Sequence, residues 1–131
     1  MKLITRDTDY AIRAICFIAE NKGRMVSVTE LVKALNIPRP FLRKILQILN
    51  KKGVLKSYKG LGGGFQLAIP AEKILLVDLI ETFQGPLMLN ECLFKKQVCP
   101  DRSSCTLRVK IAKIERKVIS ELNGITISSL I

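Results

Sequence analysis

A mainly α-helical domain with a small β-hairpin, extended by one long C-terminal helix, is the fold class the sequence predicts. Three observations predict it. Apolar residues recur at helical spacing in four separate stretches before residue 86. Two β-prone segments, VLKSY (54–58) and FQLAI (65–69), flank the glycine-rich KGLGGG. Adjacent glycines do not build a helix interior and here read as a hairpin tip. From about Ser104 to Asn123, Leu107, Ile111, Ile114, Val118 and Leu122 recur at gaps of four, three, four and four. That narrow seam lies close to a coiled-coil period and suits pairing with a second copy.

In chain order, Thr8 is placed to cap a first helix running to about Lys22, with Ala11, Ala14, Ile15, Ile18 and Ala19 as its buried stripe. Cys16 lies within this apolar helix and reads as a small core residue. Gly23 supplies a left-handed stop. Ser27 and Glu30 have the spacing of a capping box for a short second helix carrying Val28, Leu31, Val32 and Leu35. Asn36 ends it, and NIPRP makes the turn. Pro38 or Pro40 suits the first position of a third helix, where the missing N–H costs nothing. Its buried side is expected to hold Phe41, Leu42, Ile45, Ile48 and Leu49, and Gly53 terminates it. After the hairpin, Pro70 stops the second strand, and residues 76–85 form a further short helix.

The composition narrows the function. The chain has 131 residues, 48% of them apolar, which is enough for one real core. Its formal net charge of +11 suggests a polyanionic partner, with nucleic acid the default. The first apolar stretch is interrupted by Arg13 and lacks a cleavage site, and no run approaches the roughly 18 apolar residues of a membrane span. The expected compartment is the cytoplasm, where thiols stay reduced, and no membrane partner is expected. Histidine is absent, which excludes His-ligand metal sites and His-based catalytic dyads. No base–nucleophile pair is visible, so no enzyme is expected.

Helix, short helix, tight turn, helix and hairpin follow the order of a winged helix-turn-helix, whose third helix enters the major groove of double-stranded DNA. Arg39, Arg43, Lys44, Gln47 and Lys51 point outward from it. Arg39, Arg43 and Gln47 are four apart and share a face. Arginine reads guanine bidentately and glutamine reads adenine. A stripe of this kind is otherwise an ordinary solvated face; the capped helix before it and the hairpin after it favour DNA. In the hairpin, Lys56 and Lys59 can neutralise phosphates and Tyr58 can hydrogen-bond one, while the bare backbone of Gly62, Gly63 and Gly64 can approach a groove. A nucleotide-cradling loop does not fit, because the Lys-[Ser/Thr] and the following helix are missing. Charge alone would also permit a non-specific nucleic-acid-compacting protein.

Three of the four cysteines, Cys92, Cys99 and Cys105, occupy one polar loop with spacing C-x6-C-x5-C. Zinc knuckles use paired C-x2-C units and four ligands. Three thiolates plus a carboxylate could instead hold an iron–sulfur cluster, and Lys95, Lys96, Arg102 and Arg108 would offset its charge. A redox-reactive loop without metal fits the spacing equally well.

TDYAIRA, the run IPRPFLRKILQILNKKGVLKSYKGLGGGFQLA, the cysteine trio and the terminal helix together resemble the IscR/NsrR-type (Rrf-two) family of winged-helix repressors across nearly the whole chain. The resemblance implies a homodimer paired through the long helix, a palindromic operator, and DNA affinity controlled by cluster state. It implies cluster ligation by Cys92, Cys99 and Cys105, although x6-x5 departs from the commoner x5-x5. Cluster-assembly repressors of the family carry a histidine where Arg108 stands. Nitric-oxide sensors recruit an aspartate from the partner's first helix, and Asp9 matches it; an acid there would also simply favour the helix dipole. The expected organisation is a DNA-binding unit over 1–85 and a cysteine loop with dimerisation helix over 86–131. A relative sensing by thiol oxidation or a protein partner, without a cluster, is the alternative.

Overall fold

The computed structural model describes residues 2–89 and 105–131. Helix α1 spans Arg6–Glu20 and is capped by Thr5 rather than Thr8. Thr5 has the extended backbone a cap requires, and its hydroxyl accepts from the Thr8 N–H at 3.5 Å. Thr8 is fully buried within the first turn. The helix ends at Asn21, whose Nδ2 donates back to the Phe17 carbonyl at 2.8 Å. Gly23, at φ +93°, makes the turn that follows.

Helix α2 spans Val28–Leu35, and Ser27 Oγ accepts from the Glu30 N–H at 3.1 Å. The reciprocal half of the expected capping box is replaced: the Glu30 carboxylate takes the Arg24 guanidinium, with Nη1 to Oε2 at 2.9 Å. Asn36 closes the helix in the left-handed region at φ 55°, a conformation asparagine tolerates. Helix α3 spans Arg39–Lys51, with Pro38 as its cap and Pro40 inside its first turn. Its buried residues are Leu42, Ile45, Leu46 and Leu49. Leu46 takes the core place expected for Phe41, which is 39% exposed and lies against the Arg6 guanidinium, 4.7 Å from the ring centroid. Ile48 is half-buried.

Strands β1 (Leu55–Tyr58) and β2 (Gly64–Leu67) pair antiparallel, with Leu55 opposite Leu67 and Tyr58 opposite Gly64. Val26 adds a single rung, donating to Phe65 O at 3.0 Å and accepting from Phe65 N at 2.8 Å. The chain before α2 therefore anchors β2 on the edge away from β1. Helix α4 (Leu76–Gln84) stops at Gly85, whose φ is +80°. Helix α5 spans Thr106–Asn123. The chain then returns: Leu76 N donates to Ile125 O at 3.0 Å and Ile127 N to Ile74 O at 2.9 Å.

Two cores result. Ala11, Ile15, Leu31, Leu42, Ile45, Leu49, Leu55 and Ile127 belong to the larger one. Leu76, Val77, Ile80, Leu87 and Leu122 form the smaller, with Val118 packed against it. Each fully buried leucine or isoleucine contributes about 1.5–3 kcal/mol relative to exposure. The seam read along α5 is thus divided. Leu122 is 6% exposed because the helix's C-terminal half lies on α4, whereas Leu107 and Ile114 are 64% and 50% exposed. Ile111 is half-buried.

Candidate nucleic-acid interface and cysteine site

The left-handed turn at Asn36 redirects the chain so that α3 buries one face against α1 and α2 and leaves the other outside. Arg43, Lys44, Gln47 and Lys51 are all exposed on it, and Arg39 is half-buried. Arg39 Nη2 donates to Thr29 Oγ1 at 3.1 Å, which fixes its direction from the neighbouring helix. Lys44 Nζ lies 3.9 Å from Asp7 Oδ2. Among the described residues, no ion pair involves Arg43, Lys51, Lys56 or Lys59. From Leu31 to Ala71 the sequence has eight lysines and arginines and no carboxylate. Helix and hairpin therefore present a positive field, with Asp7 of α1 the carboxylate set against it at Lys44, and that field steers a polyanion toward them.

In the hairpin, Lys56, Tyr58 and Lys59 are exposed. The glycines have structural work inside the hairpin. Gly62 has φ +75°. A Cβ on Gly63 would overlap the Tyr58 carbonyl oxygen, and one on Gly64 would lie 2.5 Å from the Val26 carbonyl oxygen. Gly63 and Gly64 are thus required by close backbone approaches, and Gly62 by its conformation. The residue that sequence reasoning passed over is Leu61, fully exposed at the tip. Its signal was available: a lone apolar residue between glycines has nothing in its own hairpin to pack on.

The first turn of α1 touches both flanking elements. Arg6 stacks on Phe41 and Asp7 faces Lys44, both on α3. On the other side, Gln84 Oε1 at the end of α4 accepts from Thr8 Oγ1 at 2.7 Å and from Thr5 N at 2.8 Å. These contacts join residues 76 and 79 positions apart, which is why periodicity could not show them.

Cys105 caps α5, and its Sγ accepts from the Arg108 N–H at 3.4 Å. A thiolate there sits at the positive end of a helix. Cys92 and Cys99 lie outside the described residues. Asp9 holds the Arg13 guanidinium at 2.8 Å. Among the described residues no three His, Cys, Asp or Glu side chains gather into a metal-sized group. Cys16 is half-buried, packed against the larger core, and burial followed by the nearby Glu20 charge pushes its thiol up. No described helix is long and apolar enough to cross a membrane.

Known proteins are similar to this chain in sequence or in fold. A protein of Aquifex aeolicus, provisionally named an HTH-type transcriptional regulator, is 36% identical over 124 residues, covering 93% of this chain and 86% of its own. Protein aau3 of Rhizobium meliloti is 30% identical over 129 residues, covering 98% and 84%. Among solved structures, CymR, the global cysteine regulator of B. subtilis, superposes with a TM-score of 0.79 at 23% identity, covering 99% of this chain and 96% of its own. IscR of T. potens gives 0.77 at 21%, covering 99% and 85%. At these identities the two structures establish the winged-helix fold alone. The Rrf2 family model, described as an iron-dependent transcriptional regulator, matches residues 4–131. With that match and the exposed basic helix and hairpin, the chain belongs to the Rrf2 family and is a winged-helix transcriptional regulator, not an enzyme.

Proposed function

We propose that this regulator is a cytoplasmic homodimer that represses from a palindromic operator and responds through an iron–sulfur cluster held by Cys92, Cys99 and Cys105, with Asp9 from the partner subunit. Residues 1–85 read DNA, and residues 86–131 provide the sensing loop and the pairing helix. Arg39, Arg43 and Gln47 face base edges; Lys44, Lys51, Lys56, Tyr58 and Lys59 hold phosphates. Leu107, Ile111 and Ile114 form the free part of the pairing seam.

The observation that carries the reading is the position of α1's first turn. The turn that presents Asp9 also touches α3 through Arg6 and Asp7. Engaging Asp9 elsewhere breaks its bond to Arg13, and a resulting movement of the turn reaches the DNA-reading helix directly. The donors suit the group: soft thiolates are the usual ligands of iron–sulfur iron. Cys105 is half-buried at the start of α5, and the family description names iron dependence. A bound cluster would supply a group sensitive to iron supply, oxidant or nitric oxide.

A cluster-free thiol sensor is the second reading, favoured by Arg108 at the position where a histidine would be a ligand. The CymR of Staphylococcus aureus, a structural relative at 22% identity and a TM-score of 0.75, is known in an oxidized form. Absorption spectra of anaerobically purified protein, with iron and sulfide analysis, decide between the two. Visible charge-transfer bands with stoichiometric iron support the cluster. Iron-free protein that stays colourless after reconstitution supports thiol sensing. Footprinting separates both from non-specific compaction, which would protect DNA without sequence preference.

A further inference from the structure

The hairpin tip holds one side chain. Gly60, Gly62, Gly63 and Gly64 surround Leu61, whose side chain is fully exposed. The tip is a built feature. The Gly63 N–H donates to the Gly60 carbonyl at 3.0 Å, closing a four-residue turn with Leu61 and Gly62 in its centre. Gly62 takes the positive φ of +75° that the third position of a type II turn demands. Gly63 is locked by the Tyr58 carbonyl beneath it. Leu61 is thereby held outward on a preformed turn, so little freedom is lost when it is buried by something else.

We propose that Leu61 is an apolar wedge that enters the minor groove of duplex DNA and opens a base step beneath the hairpin tip. The inference rests on the DNA-binding reading and adds a deformation of the DNA to it. Leucine has no group for a phosphate or a base edge, so hydrogen-bonded readout is not available to it. The thymine methyl, its other apolar target, lies in the major groove, which α3 would fill. The minor groove is only about 6 Å wide. A tip stripped to glycine backbone on both sides of one side chain is narrow enough to enter it. Lys56 and Lys59 stand behind the tip, and the segment from Leu31 to Ala71 has no carboxylate to repel the phosphates. Apolar side chains inserted at a step unstack it and kink the duplex, most readily at flexible pyrimidine–purine steps.

The test uses the full chain and duplexes enriched from a random-sequence pool by binding to it. Leu61→Ala and Leu61→Met are compared with the parent for affinity, salt dependence, bend angle by circular permutation, and fluorescence of 2-aminopurine placed under the tip. Leu61 packs on nothing, so both variants should keep the parent's thermal midpoint. Leu61→Ala is expected to bind roughly tenfold more weakly, with the bend and the fluorescence rise lost and the salt slope unchanged. Leu61→Met should retain all three. Parent-like affinity, bend and fluorescence in Leu61→Ala would overturn the wedge while leaving DNA recognition standing. A pool in which the parent enriches no sequence would overturn the DNA reading itself and the wedge with it.

Discussion

The Thr8 hydroxyl donates to Gln84 Oε1 at 2.7 Å and thereby pins the first turn of α1 to the last residue of α4. Thr8 is the buried polar residue of the described structure, and Gln84 completes the fit by accepting from Thr5 N and donating Nε2 to the Leu3 carbonyl at 3.2 Å. The pin stands one residue from Asp9 and one residue before Gly85, where the chain leaves for the cysteine loop. Gln84→Ala removes the acceptor of two donors and should cost about 1–3 kcal/mol, lowering the thermal midpoint by several degrees. Thr8→Val, which keeps the volume and leaves Gln84 its bond to Thr5, should cost about 1 kcal/mol. Urea unfolding of both variants checks the order. Equal stability of the two would show that Thr8 alone carries the link and that the Thr5 N–H bond adds nothing.

Arg43 and Lys56 should separate by their effects on DNA. Arg43→Ala is expected to cost about 1–3 kcal/mol and to relax preference at one position of each half-site, as loss of a base contact does. Lys56→Ala should weaken all sequences alike and reduce the salt slope by about 0.9. Competition binding over a degenerate library at two salt concentrations distinguishes them. A uniform loss in Arg43→Ala would make it a phosphate contact.

The divided seam of α5 makes two substitutions diverge. Ile114 is half-exposed, so Ile114→Asp should leave the protomer folded and give monomers by sedimentation if this face pairs two copies. Leu122 is buried in the smaller core, so Leu122→Ala should instead cost about 2–4 kcal/mol of protomer stability. An intact dimer in Ile114→Asp would place the interface elsewhere.

The Arg24–Glu30 pair carries a pH signature. Its hydrogen bond to the Arg24 guanidinium holds the Glu30 carboxyl below its ordinary value. A carboxyl depressed on folding stabilises above the unfolded value of about 4.3, and that stabilisation is lost as pH falls through the lower folded value. Glu30→Gln should therefore be less stable than the parent at pH 7, with the gap closing below about pH 4. The pair lies at the surface, so the gap should be small. A gap that persists into acid would mean that Glu30 acts through α2's first turn rather than through Arg24.

Alanine at Cys92, Cys99 or Cys105 is expected to abolish cluster absorbance, and Cys16→Ala to leave it, because Cys16 packs on the core. Asp9→Ala discriminates. A labile or altered spectrum supports carboxylate ligation from the partner subunit, and an unchanged one confines Asp9 to its pair with Arg13.

Local chemistry was enough for much of this molecule. Ser27, Asn36 and Gly85 mark element ends in the sequence because each acts on its own backbone within a few residues. The apolar spacing of Ala11 to Ala19 identifies a buried face, and the glycines between two β-prone segments identify a hairpin. The polar stripe Arg39, Arg43 and Gln47 was legible because four-residue spacing alone puts side chains on one face. What only the tertiary structure decided depends on partners distant in sequence. Thr5 displaced Thr8 as the cap of α1 because Gln84, 76 residues beyond Thr8, holds the Thr8 hydroxyl in the interior. Phe41 stands outside the core, and the Arg6 guanidinium over its ring is a contact between helices that spacing along α3 does not show. Glycine at position 64 is demanded by the Val26 carbonyl, which no reading of the hairpin alone could place there. One periodic seam on α5 became a buried half and an exposed half because periodicity states which residues share a face, while packing against α4 fixes how much of that face is covered.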